Sequence, residues 1–445
     1  MPRIAAYLVL TSDSPAPLRA VDAICYGRGL DARDRGLVRR IVGTEIRRRG
    51  TLRALVDAFA RPKPKSELAL LLRIGLAQLF FMDRIPPHAV VSETVDAANR
   101  ILGLAKGRFV NAVLREAQRA RLEGRSGDPT RDLVDRPWHL TDPVFRDPEE
   151  HPSLWAEDAL SLPAALHKRW MKRYGLDEAN RLARLALDES AVSVRVTRGG
   201  AREALAAELE ASGVPSREGS HPALLVIESE VTSELIASAA FQEGRITIQG
   251  ETALRAAELV GAAPGMRVLE LCAAPGGKTA VLAEAGAEIV ALDRSPRRLA
   301  DVPRGLRRVV PDARVRLLAS DGDLGLAPGA PRFDAVLVDV PCSNTGVLAG
   351  RPEARWRFGP ANLKSLVEEQ ERLLLAALER VRPGGVVVHS TCSLEPEEGP
   401  QLVRRVLGAD PRFELETELA SLPNSATTGG PLDGGYAARL VRVRE

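Results

Sequence analysis

At 445 residues the chain exceeds the size at which one hydrophobic core stops growing, so two or three domains are expected. Apolar residues make up 45% and charged residues 27%, which excludes a disordered chain, and no apolar run reaches the roughly 18 residues of a membrane span. The net charge of +3 hides an asymmetry: residues 1–125 hold 23 Lys/Arg against 12 Asp/Glu, and the remainder carries eight more acids than bases. A basic N-terminal part suits a polyanionic partner, although arginine-rich solvated helix faces give the same count.

The four cysteines, Cys25, Cys272, Cys342 and Cys392, are too scattered for a disulfide framework or a zinc site. No metal is expected, and free thiols point to the cytoplasm. The apolar stretch 4–10 behind Arg3 has the look of a minimal signal peptide, but the rest of the chain reads as intracellular.

In chain order, residues 1–125 are expected to be all helical. Leu68, Leu71, Leu72, Leu76, Leu79 and Phe80 recur at helical spacing behind an N-cap at Ser66; Pro86 and Pro87 break the pattern before Ser92 opens a helix carrying Val95, Ala98, Ile101 and Leu102. Residues 126–152 are crowded with Pro, Asp, Gly and Arg and read as a linker. Residues 153–245 suggest a small α+β domain, with a helix over 164–188 and strands over 192–197 and 223–228. From 246 to 445, strand signals at 267–271, 288–293, 315–319, 333–339 and 385–391 alternate with helices, clearest at 361–381. That rhythm predicts a Rossmann-like α/β domain with a doubly wound parallel sheet, closed by a hairpin from 412–416 and 436–443.

Ligands of such sheets sit at the carboxyl ends of the strands. After the first strand comes Cys272-Ala273-Ala274-Pro275-Gly276-Gly277-Lys278-Thr279, whose small residues allow close backbone approach. Its Gly-Lys-Thr ending raises a phosphate-binding loop, but the first glycine of that motif would fall at Cys272, so the motif fails. Later strands end in Asp293, near Asp321 and in Asp339. Ordered carboxylates without a phosphate cradle fit an adenosine ligand such as S-adenosyl-L-methionine better than NAD or ATP. Any one of these aspartates alone is more simply a helix cap. Cys342, in Asp339-Val340-Pro341-Cys342-Ser343, and Cys392, in Ser390-Thr391-Cys392-Ser393, both follow strands on the cofactor side. A lone cytosolic cysteine is usually inert core. A pair there suits methylation of a pyrimidine at carbon 5, which becomes nucleophilic only once a thiolate adds to carbon 6.

The AAPGGK loop, the Pro-Cys motif behind an aspartate and the later Thr-Cys-Ser motif resemble, in order, the signatures of the RNA cytosine-carbon-5 methyltransferase family across residues 246–445. That resemblance implies that Cys392 attacks carbon 6, that Cys342 assists release and that Asp339 holds the base edge. It further implies that the loop from Cys272 to Lys278, with Asp293, Arg298, Asp321 and Asp339, binds the cofactor. Residues 1–125 resemble the RNA-binding factor NusB through Asp34-Arg35-Gly36, Arg73 to Leu79, Pro86 to Val90 and Phe109 to Arg115. The two together resemble the bacterial small-subunit (16S) ribosomal RNA methyltransferase B family, whose middle region is RNA-recognition-motif-like. The resemblance implies ribosomal RNA as the substrate; a single-stranded or loop cytosine is expected because unstacking costs least there, and a monomer with no membrane partner is expected. Four places depart from the family pattern: Gly250 for aspartate, Glu270 for aspartate, Asn344 for glycine or alanine, and Asp433-Gly434-Gly435-Tyr436 for an aromatic-rich run. They keep open a non-catalytic assembly factor. Transfer RNA and DNA remain alternative substrates.

Overall fold

A computed structural model describes residues 1–189, 191–197, 199–321, 332–425 and 430–443. They form two compact units, Met1–Asp188 with Pro352–Phe358, and Glu189–Arg351 with Gly359–Glu445.

The first unit opens with six helices, Pro2–Thr11, Pro17–Tyr26, Ala32–Phe59, Ser66–Phe81, Pro87–Leu102 and Leu104–Ala120. The fourth is buried almost throughout from Leu68 to Phe80, as a helix that is apolar on every side must be. Its polar residues are fixed by partners: Arg73 donates to the buried Glu45 at 2.8 Å, and Gln78 accepts from Arg3 at 3.0 Å. Two helix starts differ from the sequence expectation. Ser66 is the first helical residue rather than the cap, and no side chain caps that end. Pro87 is itself the first residue of the next helix, where a missing N–H is not needed, so this helix starts five residues before Ser92. The helix expected over 164–188 divides at Gly175 into Ala164–Tyr174 and Leu176–Leu185. Residues 126–152 are packed, with Leu133, Leu140 and Phe145 buried and Trp138–Leu140 paired antiparallel to Arg121–Glu123. The segment Pro352–Phe358 belongs to this unit too. The fully buried Arg355 guanidinium donates to the carbonyls of Ser161, at 3.3 Å, and Ala186.

The second unit holds two sheets. The smaller one is antiparallel, in the order Ser216–Glu218, Leu224–Ile227, Val192–Val196, Ile246–Ile248. The larger contains β1 (Arg267–Leu271), β2 (Glu288–Asp293), β3 (Val315–Ala319), β4 (Phe333–Asp339), β5 (Val381–Thr391), β6 (Phe413–Ser421) and β7 (Gly435–Arg442). Their order is β6-β7-β5-β4-β1-β2-β3. β1 to β5 run parallel, and β7 and β6 complete the sheet as an antiparallel pair. Alternate residues of β4 enter opposite cores, Val336 and Val338 on one face, Ala335 and Leu337 on the other, as the two-residue period of a strand requires. Burial on both faces makes the parallel strands read as continuous apolar runs. The chain leaves β1 toward β2 and β3 and returns to β4 on the other side, so the crevice between the ends of β1 and β4 is the topological switch point. Among the described residues, no helix is long and apolar enough to cross a membrane.

Candidate active site

The loop after β1 is shaped by its own backbone. Cys272 takes a positive φ of 61°, Ala273 N–H bonds to Leu292 O at 2.8 Å, and Gly276, at φ 98°, leads into the helix Gly277–Glu284. A Cβ at Gly276 would lie 2.9 Å from Val302, so both conformation and space call for glycine there. Asp293, buried at the end of β2, accepts the N–H of Ala274 at 3.2 Å and of Ser295 at 2.9 Å. Arg298 lies 3.5 Å from the same carboxylate and also donates to Ala274 O. Asp293 and Arg298 therefore hold the loop after β1 in place. Asp321 lies beyond β3, exposed and 3.7 Å from Arg372. Burial pushes the Cys272 thiol up to about 12, which makes it an inert wall rather than a nucleophile.

Asp339 ends β4 level with Ser390 of β5. Ser390 Oγ donates to Asp339 Oδ1 at 2.8 Å, and Lys278 Nζ stands 2.6 Å from Oδ2. Burial works against the Lys278 ammonium, but Asp339 outweighs it and holds Lys278 above its ordinary value. The loop after β1 is thereby tied to the carboxylate at the end of β4. Below it, Glu270 is buried with Oε2 unpartnered, as is the buried Thr279 Oγ1. Burial raises the Glu270 carboxyl to about 8. Burial thus favours the neutral form of Glu270, whose Oε2 keeps no hydrogen-bond partner among the described residues.

Cys342 and Cys392 come from loops 50 residues apart, yet their sulfurs stand 3.0 Å from each other. Both are half-buried. The hydrogen bond between the sulfurs draws the Cys342 thiol down; the same bond, with burial, pushes Cys392 up. The two thiols therefore titrate together, with the thiolate falling first on Cys342. Asn344, at φ 60°, is of a type that tolerates this conformation. Its amide donates to Cys342 O at 2.7 Å and accepts from Cys392 Sγ at 3.4 Å, so this departure from the family pattern bridges the cysteines. Gly250 also finds a reason: a Cβ there would lie 2.0 Å from Asp433 Oδ2. The Asp433 carboxyl, raised to about 6 by burial, fills the space a side chain at 250 would need.

Sequence reading missed Lys278 as the partner of Asp339, and it missed Glu398, which lies behind both cysteine loops. The only linear signal for the second was a serine directly after each cysteine.

A doubly wound sheet with a close-approach loop, ordered carboxylates and no phosphate cradle at its switch point defines an S-adenosylmethionine-dependent methyltransferase. Residues 258–431 match the 16S rRNA methyltransferase RsmB/F family and residues 13–119 the NusB family. The ribosomal RNA small subunit methyltransferase B of Xylella fastidiosa is 36% identical over 99% of this chain and 95% of its own. That of Pseudomonas putida is 31% identical over 98% and 94%. The chain belongs to this ribosomal RNA small subunit methyltransferase B family. Two solved structures share the fold. The crystal structure of PH0851 matches with a TM-score of 0.77 at 23% identity, covering 99% of this chain and 98% of that one. That of NSun6 from Pyrococcus horikoshii, solved with SFG, matches at 0.54 and 20% identity, covering 64% and 99%.

Proposed function

We propose that this enzyme methylates carbon 5 of a cytosine in 16S ribosomal RNA through a covalent adduct between Cys392 and carbon 6, acting in the cytoplasm as a monomer. The observation that carries the reading is the placement of two thiols 3.0 Å apart at the carboxyl end of β5 and beyond β4, beside the cofactor loop. The loop from Cys272 to Lys278, with Asp293, Arg298 and Glu270, would hold S-adenosylmethionine, which supplies the methyl group. Asp321, two strands from the switch point, would bound the adenosine end.

The chain's own residues account for the rest. A cytosine must leave its stack to be reached, so single-stranded or loop RNA is the expected substrate. As carbon 6 approaches, the Cys392 proton passes to Cys342 across the existing hydrogen bond, and the Cys392 thiolate adds to the ring. Asp339, steadied by Lys278 and Ser390, holds the base edge where charge develops. Solvent water then takes the carbon-5 proton, the bond from carbon 6 to sulfur breaks as the ring double bond re-forms, and Cys342 returns its proton to the departing Cys392 sulfur. Bisulfite sequencing of total RNA from cells with and without the gene tests the reading. Loss of one 16S cytosine mark is expected. An unchanged 16S pattern would overturn it and favour an assembly factor, or another RNA if the lost mark lies elsewhere.

A further inference from the structure

We propose that Glu398 is a positioning residue for the two cysteines: its buried carboxylate anchors the residues that follow Cys342 and Cys392 and so sets the distance between the sulfurs. The inference rests on the roles proposed above for those cysteines.

Glu398 closes the turn Pro396–Glu398 after β5 and is fully buried. Its Oε1 accepts the Ser343 N–H at 2.8 Å and the Gln370 side-chain amide at 2.8 Å. Its Oε2 accepts the hydroxyls of Ser343 and, at 2.5 Å, of Ser393. Each serine is the residue directly after one of the cysteines. Two loops 50 residues apart thus meet on a single oxygen atom, with the serine hydroxyls 2.9 Å from each other. From the other side, the His389 ring lies 3.1 Å from Glu398 O.

General stability is a poor explanation for a carboxylate here. Among the described residues no cation pairs with Glu398, and four donors compensate it instead. The loops are already clipped by Gly346 N–H to Cys392 O at 2.9 Å and by Leu394 N–H to Thr345 Oγ1 at 2.8 Å. What a carboxylate adds is a planar acceptor that takes both serine hydroxyls at a fixed spacing, and a negative charge behind Cys342. That charge opposes a thiolate on Cys342, which favours passing the shared proton to Cys342 and leaving the thiolate on Cys392.

Two variants of the full chain separate these contributions. Glu398→Ala removes the anchor. Glu398→Gln keeps its shape, with one oxygen for the two N–H donors and an amide facing hydroxyls that can turn to accept, but loses the charge. Adduct formation is followed with RNA carrying 5-fluorocytosine, whose fluorine cannot leave as a proton, so the adduct accumulates. Glu398→Ala should slow the adduct about 100-fold, the scale of a misplaced reacting group, while calorimetric affinity for S-adenosylmethionine stays within about twofold because Glu398 shares no partner with the cofactor residues. Glu398→Gln should recover most of that loss and move the acid limb of the pH–rate profile to lower pH.

Adduct rates and pH profiles unchanged in both variants overturn the proposal. So does Glu398→Gln as slow as Glu398→Ala with an unmoved profile, which marks a structural role. If Glu398→Ala does not fold, Ser393→Ala takes its place and should slow the adduct about tenfold, the scale of one charge-assisted hydrogen bond; an unchanged rate overturns the proposal. Cys392→Ala is the control. An adduct that survives it sinks the proposed function, whereas an adduct lost there but unaffected by the Glu398 variants sinks this inference alone.

Discussion

The Cys342 and Cys392 sulfurs stand 3.0 Å apart, close enough for a proton to pass directly from one to the other. Because the mechanism separates their roles, Cys392→Ala should give neither product nor covalent complex. Cys342→Ala should form the adduct more slowly, because the group that takes the Cys392 proton is gone, and should release it more slowly still, trapping a protein–RNA complex on a denaturing gel. Trapping by the Cys392 variant instead would reverse the assignment, as expected of a mechanism in which the Pro-Cys thiol is the nucleophile.

Asp293 gives a measurable prediction for the cofactor. Replacing it by Ala removes an acceptor from Ala274 and Ser295 and, on the proposed reading, the carboxylate that would accept the ribose hydroxyls of the cofactor, so S-adenosylmethionine should bind about 1 to 3 kcal/mol more weakly, the scale of a charge-assisted hydrogen bond. Isothermal titration calorimetry reads this directly, and an unchanged affinity counts against a ribose bond to Asp293.

Glu270 makes the ligand-free protein sensitive to pH. Its folded carboxyl titrates near 8 against an ordinary 4.5 because it is buried, so the folded state holds a proton that the unfolded state releases above about pH 4.5. Stability is therefore full below that point and declines by up to about 1.4 kcal/mol per unit as pH rises toward 8. Glu270→Gln should flatten this decline, measured by thermal unfolding from pH 5 to 8. S-adenosylmethionine should lessen it in the wild type by placing a cation beside the carboxylate. Parallel curves for wild type and variant would show that Glu270 is not the titrating group.

The basic N-terminal part is best tested by surface substitution. Removing residues 1–125 would strip the partners of Pro152–Ala159 and of the segment around Arg355, because the helix Ala32–Phe59 packs on Pro152–Ala159 and Trp356 donates to Ile46 O at 2.7 Å. Arg108, Arg115 and Arg119 are exposed along one face of the helix Leu104–Ala120. Replacing all three with Ala should weaken RNA binding and reduce the salt slope by about one for each phosphate no longer neutralised, with cofactor affinity unchanged. A filter-binding series in salt that keeps the wild-type slope would show that this face does not meet RNA.

The order of residues along the chain was enough for the α/β class, the strand positions of the catalytic sheet and the three motifs. Burial on both faces writes parallel strands as apolar runs, Ala335 to Val338 within Phe333–Asp339 and Ile289 to Leu292 within Glu288–Asp293, and a close-approach loop needs small residues in a row. Helix starts were less legible. Ser66 and Ser92 carry capping chemistry, but the ends were set by Lys65 and Pro87, and local propensity competes there with packing. Other relationships exist only in the folded molecule: Glu398 holds Ser343 and Ser393, Lys278 meets Asp339, Asn344 spans the cysteines and Asp433 fills the space beside Gly250. Each of these depends on residues brought together from separate strand ends, and no periodicity along the chain records a bond that closes across the sheet.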